Sequence, residues 1–240
     1  MPEFKPIKRN AVEAFFDILF ATLLRESCKA LGIPIVESVE KLNQYQIVIF
    51  VSTHDNYNEP MKMKEILLQK LESSKKTILG LEFYSDKLFE DLFNDPKRNL
   101  NDETFNKLIS SLTYEKTIRG LIEAFNEIQQ KYSRDRFEIK LFDMTYVETH
   151  INEKYAAIRR SREEKEKNFE TRNAQILKNI LDLLKTCGDN NLVVYTGTFH
   201  VIDLLIKLKE IIESGNKEEI KINNIIVFSP REDLKDIMRK

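Results

Sequence analysis

The sequence predicts an α/β fold, with a mostly parallel sheet of about five strands and helices on both faces. Three observations support this prediction. Short runs of β-branched and aromatic residues recur along the chain. The segments between them are long enough for crossover connections, and several of these segments have apolar residues at helical spacing. The predicted strands are 46–51, 77–83, 136–142, 191–196 and 222–228.

The helical segments are predicted from the spacing of their apolar residues. Residues 1–32 are expected to form an amphipathic helix packed on the domain, because Phe15, Leu19 and Leu23 belong to one helical stripe. Residues 86–131 contain three such stripes and no strand signal, which predicts a helical insertion or cap. A long helix is predicted over 153–184. The whole chain, 1–240, is therefore expected to be a single α/β domain.

Composition argues against several classes of protein. The 38 Lys and Arg residues nearly balance 39 Asp and Glu, and the formal net charge of -1 favours neither nucleic acid nor an anionic membrane. No segment reaches the ~20 apolar residues of a membrane span. Cys28 and Cys187 lie on apolar helical patterns and are interpreted as reduced core residues. Without a signal-peptide cleavage site or a lipoprotein processing box, a cytoplasmic location is predicted, with secretion by a dedicated system as the alternative.

Polar residues occur where the predicted strands end. Because the carboxyl ends of parallel strands meet at one edge of a sheet, these side chains are expected to share a crevice. Two residues of the long helix, seven positions apart, would face the same edge. The candidates are His54, Asp55, Glu82, Asp143, Gly197 and His200 from the strands, and Arg172 and Asn179 from the helix.

Two chemical routes fit this set of residues. His54, Glu82 and His200 could bind zinc, manganese or iron, which would lower the pKa of a bound water. Without a metal, His54 or His200 would act as general base, Glu82 or Asp143 would orient the imidazole, and Arg172 would hold an anionic group or a developing oxyanion. Structural alternatives are that Arg172 only pairs with Glu82 and that Asp143 caps the segment after it.

Five sequence pieces resemble the erythromycin-esterase/ChaN-like superfamily, which also contains the TIKI and TraB proteins. They follow the family's order and cover roughly residues 46–205. The chain length is similar to that of a ChaN-like core rather than a full esterase. The five pieces are His54-Asp55-Asn56, Leu81-Glu82-Phe83, Leu141-Phe142-Asp143, the arginine-containing segment Thr171 to Asn179, and Gly197-Thr198-Phe199-His200-Val201, which matches G-x-x-H-V.

The resemblance implies a hydrolase that cleaves an ester or related bond of a small or anionic substrate. ChaN-like relatives bind haem, so the resemblance also makes Tyr57 and Tyr84 candidate iron ligands. A third alternative is a non-catalytic effector or interaction domain with a degenerate site. The chain departs from the family's G-E-x-H or G-T-x-H at Val51-Ser52-Thr53-His54. Ser52 cannot replace a glutamate base, so Asp55 or Glu82 would have to take the proton.

Overall fold

Parallel strands form the centre of the fold. The computed structural model describes residues 11–52, 58–85, 87–94, 103–110, 115–143, 162–215 and 220–230. Within these ranges the strands are Ile35–Val36 (β1), Ile47–Ser52 (β2), Thr77–Tyr84 (β3), Phe137–Asp143 (β4), Asn191–Gly197 (β5) and Ile225–Phe228 (β6). They pair in parallel in the order β1-β6-β2-β5-β3-β4. The predicted α/β class with a parallel sheet is confirmed.

The described sheet has one strand more than the sequence predicts. The additional strand, β1, has only two residues, which pair with Val227 and Phe228 of β6. A run of two residues is too short to show the alternation by which strands are recognised in sequence. The last predicted strand, 222–228, begins later than expected because Ile222–Asn224 forms a short 3-10 helix.

In the described ranges the helices are Ala11–Leu31 (α1), Glu59–Glu72 (α2), Lys87–Asn94 (α3), Glu103–Ser110 (α4), Glu115–Lys131 (α5), Arg162–Thr186 (α6) and Thr198–Glu213 (α7), and Val39–Lys41 forms another 3-10 helix. None of the helices in the described ranges combines the length and the apolar character needed to cross a bilayer. The helix predicted over 153–184 begins at Arg162 in the described part of the chain.

Helices cover both faces of the sheet, as predicted. On one face, which we call the α2 face, α2, α3 and α5 pack on alternate strand residues such as Phe50 and Leu79. On the other, the α7 face, α1, α6 and α7 pack on the intervening residues such as Val51 and Val194. Because both sets are buried, the strands have almost continuous apolar sequences. Polar strand residues therefore need a specific partner.

The segment 86–131 connects β3 to β4. Its last helix, α5, lies beside α2 and buries Leu121 and Phe125 in the core of the α2 face. A Cβ atom at Gly120 would lie 2.8 Å from Cγ of Pro60, so the glycine allows α5 to approach the start of α2 closely. This part of the predicted insertion is thus one of the layers that cover the sheet.

Both cysteines are buried and free, as the sequence predicts. α1 packs against α7, and Leu24 and Cys28 of α1 lie in the core of the α7 face. The stripe predicted to make this contact is wrong: Phe15, Leu19 and Leu23 are exposed, because the inner side of α1 is the one that carries Leu24 and Cys28. Burial raises the pKa of the Cys28 thiol to about 12 and also raises the pKa of the Cys187 thiol. The thiolate is the reactive form of cysteine, so these side chains act as small apolar core residues.

Candidate functional site

A histidine and a glutamate meet at the carboxyl edge of the sheet. Nε2 of His200 lies 3.2 Å from Oε1 of Glu82. Glu82 is on β3, whereas His200 is in the first turn of α7, which follows β5 directly. The Glu82 side chain is 8% exposed and that of His200 is 13% exposed. The pair is therefore shielded from bulk water, while the imidazole keeps a small accessible surface.

The end of β5 holds the second oxygen of the Glu82 carboxylate. Oε2 accepts a hydrogen bond from Oγ1 of Thr196 at 2.6 Å and another from the backbone N–H of Gly197 at 2.7 Å. Hydrogen bonds to an ionised carboxylate are stronger than those between neutral groups. The carboxylate thus has a fixed direction, and it offers its other oxygen to His200.

The environment of His200 favours the protonated imidazole. Burial opposes protonation, but the hydrogen bond to Glu82 and the negative charge of Glu82 outweigh it, and the pKa of His200 is raised from its ordinary value of 6.5. The charge of Arg172 lowers this pKa and that of Asp203 raises it, both to a smaller extent. In the neutral form with the proton on Nε2, the histidine donates to Glu82 and keeps Nδ1 as an acceptor.

An arginine and an aspartate form a second pair at the end of β4. Nε of Arg172 donates to Oδ1 of Asp143 at 3.0 Å, and Nη2 donates to Oδ2 at 2.5 Å. This two-point contact fixes the plane of the guanidinium. Asp143 is buried, whereas about a third of the Arg172 side chain is exposed. One alternative from the sequence was an ion pair between Arg172 and Glu82. In the structure Arg172 pairs with Asp143, and Glu82 contacts the imidazole of His200.

Asn179 supports the same strand end two turns later along α6. Its Nδ2 donates to the backbone carbonyl of Phe142 at 2.9 Å, and its Oδ1 accepts from Gln175. Arg172 and Asn179 therefore both contact the last residues of β4, as their spacing of seven predicts. These contacts align α6 with the carboxyl edge of the sheet.

Three polar side chains form a separate buried cluster on the α2 face, which we call the Glu59 cluster: Ser52, Glu59 and Tyr195. Each is at most 2% exposed. The Tyr195 hydroxyl donates to Oε2 of Glu59 at 2.6 Å, and Oγ of Ser52 lies 2.8 Å from both of these oxygens. Burial and the charge of Glu59 raise the pKa of Tyr195 well above its ordinary value. The phenol thus stays protonated and acts as a donor.

Sequence reasoning assigned no role to Glu59, Tyr195 or Thr196. Glu59 precedes Pro60 at the start of α2, and an acidic residue at that point is usually exposed and favourable to the helix dipole. Tyr195 and Thr196 lie inside an apolar strand, where the sequence indicates only a buried β-strand. The one available signal was two adjacent hydroxyl residues at the end of that strand, because buried hydroxyls need partners.

Several predicted site residues lie outside the described residues: His54, Asp55 and Tyr57. Tyr84 is on β3, but its side chain is outside the described part as well. Of the three predicted metal ligands, the structure therefore describes the side chains of Glu82 and His200. It describes the side chain of neither tyrosine of the predicted haem site. Among the residues that are described, no group of three or more His, Cys, Asp or Glu side chains could hold a metal ion.

No protein-family model, no curated protein and no solved structure matches this chain. The motif resemblance to the erythromycin-esterase/ChaN-like superfamily consequently remains a prediction. A fold class alone is compatible with many activities, so the geometry of the site is what distinguishes one function from another.

Proposed function

We propose that the protein is a hydrolase in which His200 activates water and Glu82 orients the imidazole. The supporting observation is the Glu82–His200 contact of 3.2 Å at the carboxyl edge of a parallel sheet. Ligands of open α/β folds bind at this edge. A histidine that is held by a buried carboxylate and still partly accessible is the arrangement that general-base catalysis requires.

In the proposed reaction, neutral His200 accepts a proton from water at Nδ1 while the water oxygen attacks the carbonyl carbon of an ester. The imidazolium that forms is stabilised by Glu82 through Nε2. His200 then returns the proton to the leaving oxygen as the bond between that oxygen and the carbonyl carbon breaks. The products are a carboxylic acid and an alcohol, and His200 is neutral again.

Arg172 supplies a positive charge beside an imidazole whose other charged neighbours, Glu82 and Asp203, are carboxylates. The guanidinium of Arg172 is partly exposed and close enough to lower the pKa of His200. The backbone N–H of Gly197, the N-cap of α7, already donates to Glu82, so the positive charge that we propose for substrate binding is that of Arg172. We therefore propose a small ester with a negatively charged group, which Arg172 would bind or whose oxyanion it would stabilise.

A panel of small esters with anionic and neutral acyl groups tests this proposal. We expect the wild-type protein to hydrolyse anionic members preferentially, and His200→Ala and Glu82→Gln to lose about 10²-fold or more in kcat/KM. The matched control is Glu210→Gln, since Glu210 is an exposed residue of the same helix that pairs with Lys207. Wild-type rates in His200→Ala, or a wild-type protein that hydrolyses none of the esters, would contradict the proposal.

A further inference from the structure

Adjacent residues of β5 contact carboxylates on opposite faces of the sheet. Successive side chains of a strand point in opposite directions. Tyr195 therefore reaches Glu59 on the α2 face at 2.6 Å, whereas Thr196 reaches Glu82 on the α7 face at the same distance. The backbone N–H of the next residue, Gly197, also donates to Glu82. A displacement of this strand end would move the donors of both carboxylates together.

The Glu59 cluster is well suited to fix this strand end. Glu59 is fully buried, and burying a carboxylate is costly unless hydrogen-bond donors contact it. Its donors come from two neighbouring strands, Ser52 at the end of β2 and Tyr195 on β5. Ser52 also lies opposite Gly197 in the register of these strands. The cluster thus ties the ends of β2 and β5 to the first turn of α2.

We propose that Glu59 is a positioning residue that holds the carboxyl end of β5, so that Thr196 and Gly197 keep Glu82 against His200. Glu59 lies on the α2 face, whereas the pair lies on the α7 face. It acts through the hydroxyl of Tyr195 and one peptide unit of backbone. Glu59 would thus stabilise the Glu82–His200 pair from the opposite face of the sheet. The catalytic importance of this role rests on the proposed function.

The test follows the ring N–H of His200 by nuclear magnetic resonance of protein labelled with ¹⁵N-histidine. An imidazole N–H that is hydrogen-bonded to a buried carboxylate exchanges slowly with water, because exchange requires a local opening. We expect Tyr195→Phe and Glu59→Leu to accelerate this exchange by about fivefold or more, since each removes a hydrogen bond of the cluster. Glu59→Gln keeps an acceptor for Tyr195 and should remain closer to the wild type.

A matched control separates positioning from general destabilisation. Leu71→Val changes a buried residue of α2 near the opposite end of the helix, within the same core. It should lower the melting temperature and leave the exchange of the His200 N–H unchanged. If Glu59→Leu does not fold, Tyr195→Phe decides, since it removes a single oxygen atom and keeps the ring packed on Phe50.

The two proposals can fail separately because the exchange measurement needs no substrate. Faster exchange in Tyr195→Phe than in Leu71→Val supports the positioning role, even if the wild-type protein hydrolyses no ester. Equal exchange in the wild type, Tyr195→Phe and Glu59→Leu overturns the positioning role, even if the wild-type protein is an active hydrolase.

Discussion

Lys70, a buried lysine outside the candidate site, has an environment that strongly affects its charge. Lys70 of α2 is 2% exposed, and its Nζ donates to the backbone carbonyls of Leu42 and Tyr45. Burial and the charge of Lys75 lower its pKa from 10.5 to about 8. Lys70 therefore connects α2 to the segment that leads into β2. Its buried environment disfavours the charged form of its amine.

The lowered pKa predicts a stability that depends on pH. Between about pH 8 and pH 10.5 the unfolded chain binds a proton at Lys70 that the folded chain has released, so the free energy of unfolding should rise with pH. Lys70→Met removes this contribution. We expect urea unfolding to show that the stability of the wild type relative to Lys70→Met increases from about pH 8 to about pH 10. A constant difference would contradict the shifted pKa.

At the scale of secondary-structure elements, the close contact between α5 and α2 lies next to Glu59. Gly120 allows α5 to lie against the ring of Pro60, and Pro60 follows Glu59 directly. An alanine at this position would gain up to ~1 kcal/mol in helix propensity. Its Cβ, however, would lie 2.8 Å and 2.9 Å from Cγ and Cβ of a rigid proline ring, so one of the two helices would have to shift.

We therefore predict that Gly120→Ala destabilises the protein by ~1–2 kcal/mol, because the cost of overpacking exceeds the gain in propensity. Glu123→Ala on the exposed side of α5 is the control and should change stability by less than ~0.5 kcal/mol. Both values can be measured by chemical denaturation. Stabilisation by Gly120→Ala would show that the two helices separate at little cost.

At the scale of the whole molecule, the sequence predicts the fold class because the strands are apolar runs buried on both faces. The strand-end rule also predicts that Glu82 and His200 lie at one edge, and they contact each other. Which carboxylate Arg172 would contact could not be predicted, since the choice of Asp143 depends on how α6 packs across β4. The burial of Glu59 is likewise decided by tertiary packing, because helix starts are usually exposed.

Metal binding by the predicted site remains a prediction. Ligation by His54, Glu82 and His200 requires neutral imidazoles, so the affinity for zinc or manganese should be higher at about pH 8 than at about pH 5.5. We expect titration calorimetry to show this dependence and to show its loss in a His54→Ala, His200→Ala double variant. Metal binding that is unchanged in the double variant would place the ion elsewhere.

The most direct test of the proposed hydrolase is the pH dependence of kcat/KM for the best anionic ester. His200 must be neutral to accept a proton, so the rate should rise with pH through its raised pKa, and the midpoint of the acid limb should lie above 6.5. In Glu82→Gln the charge that raises this pKa is absent, so the remaining activity should have its midpoint at lower pH. The same midpoint in both proteins, or a wild-type rate that does not depend on pH between about 5 and 8, would contradict the assignment of His200 as the base.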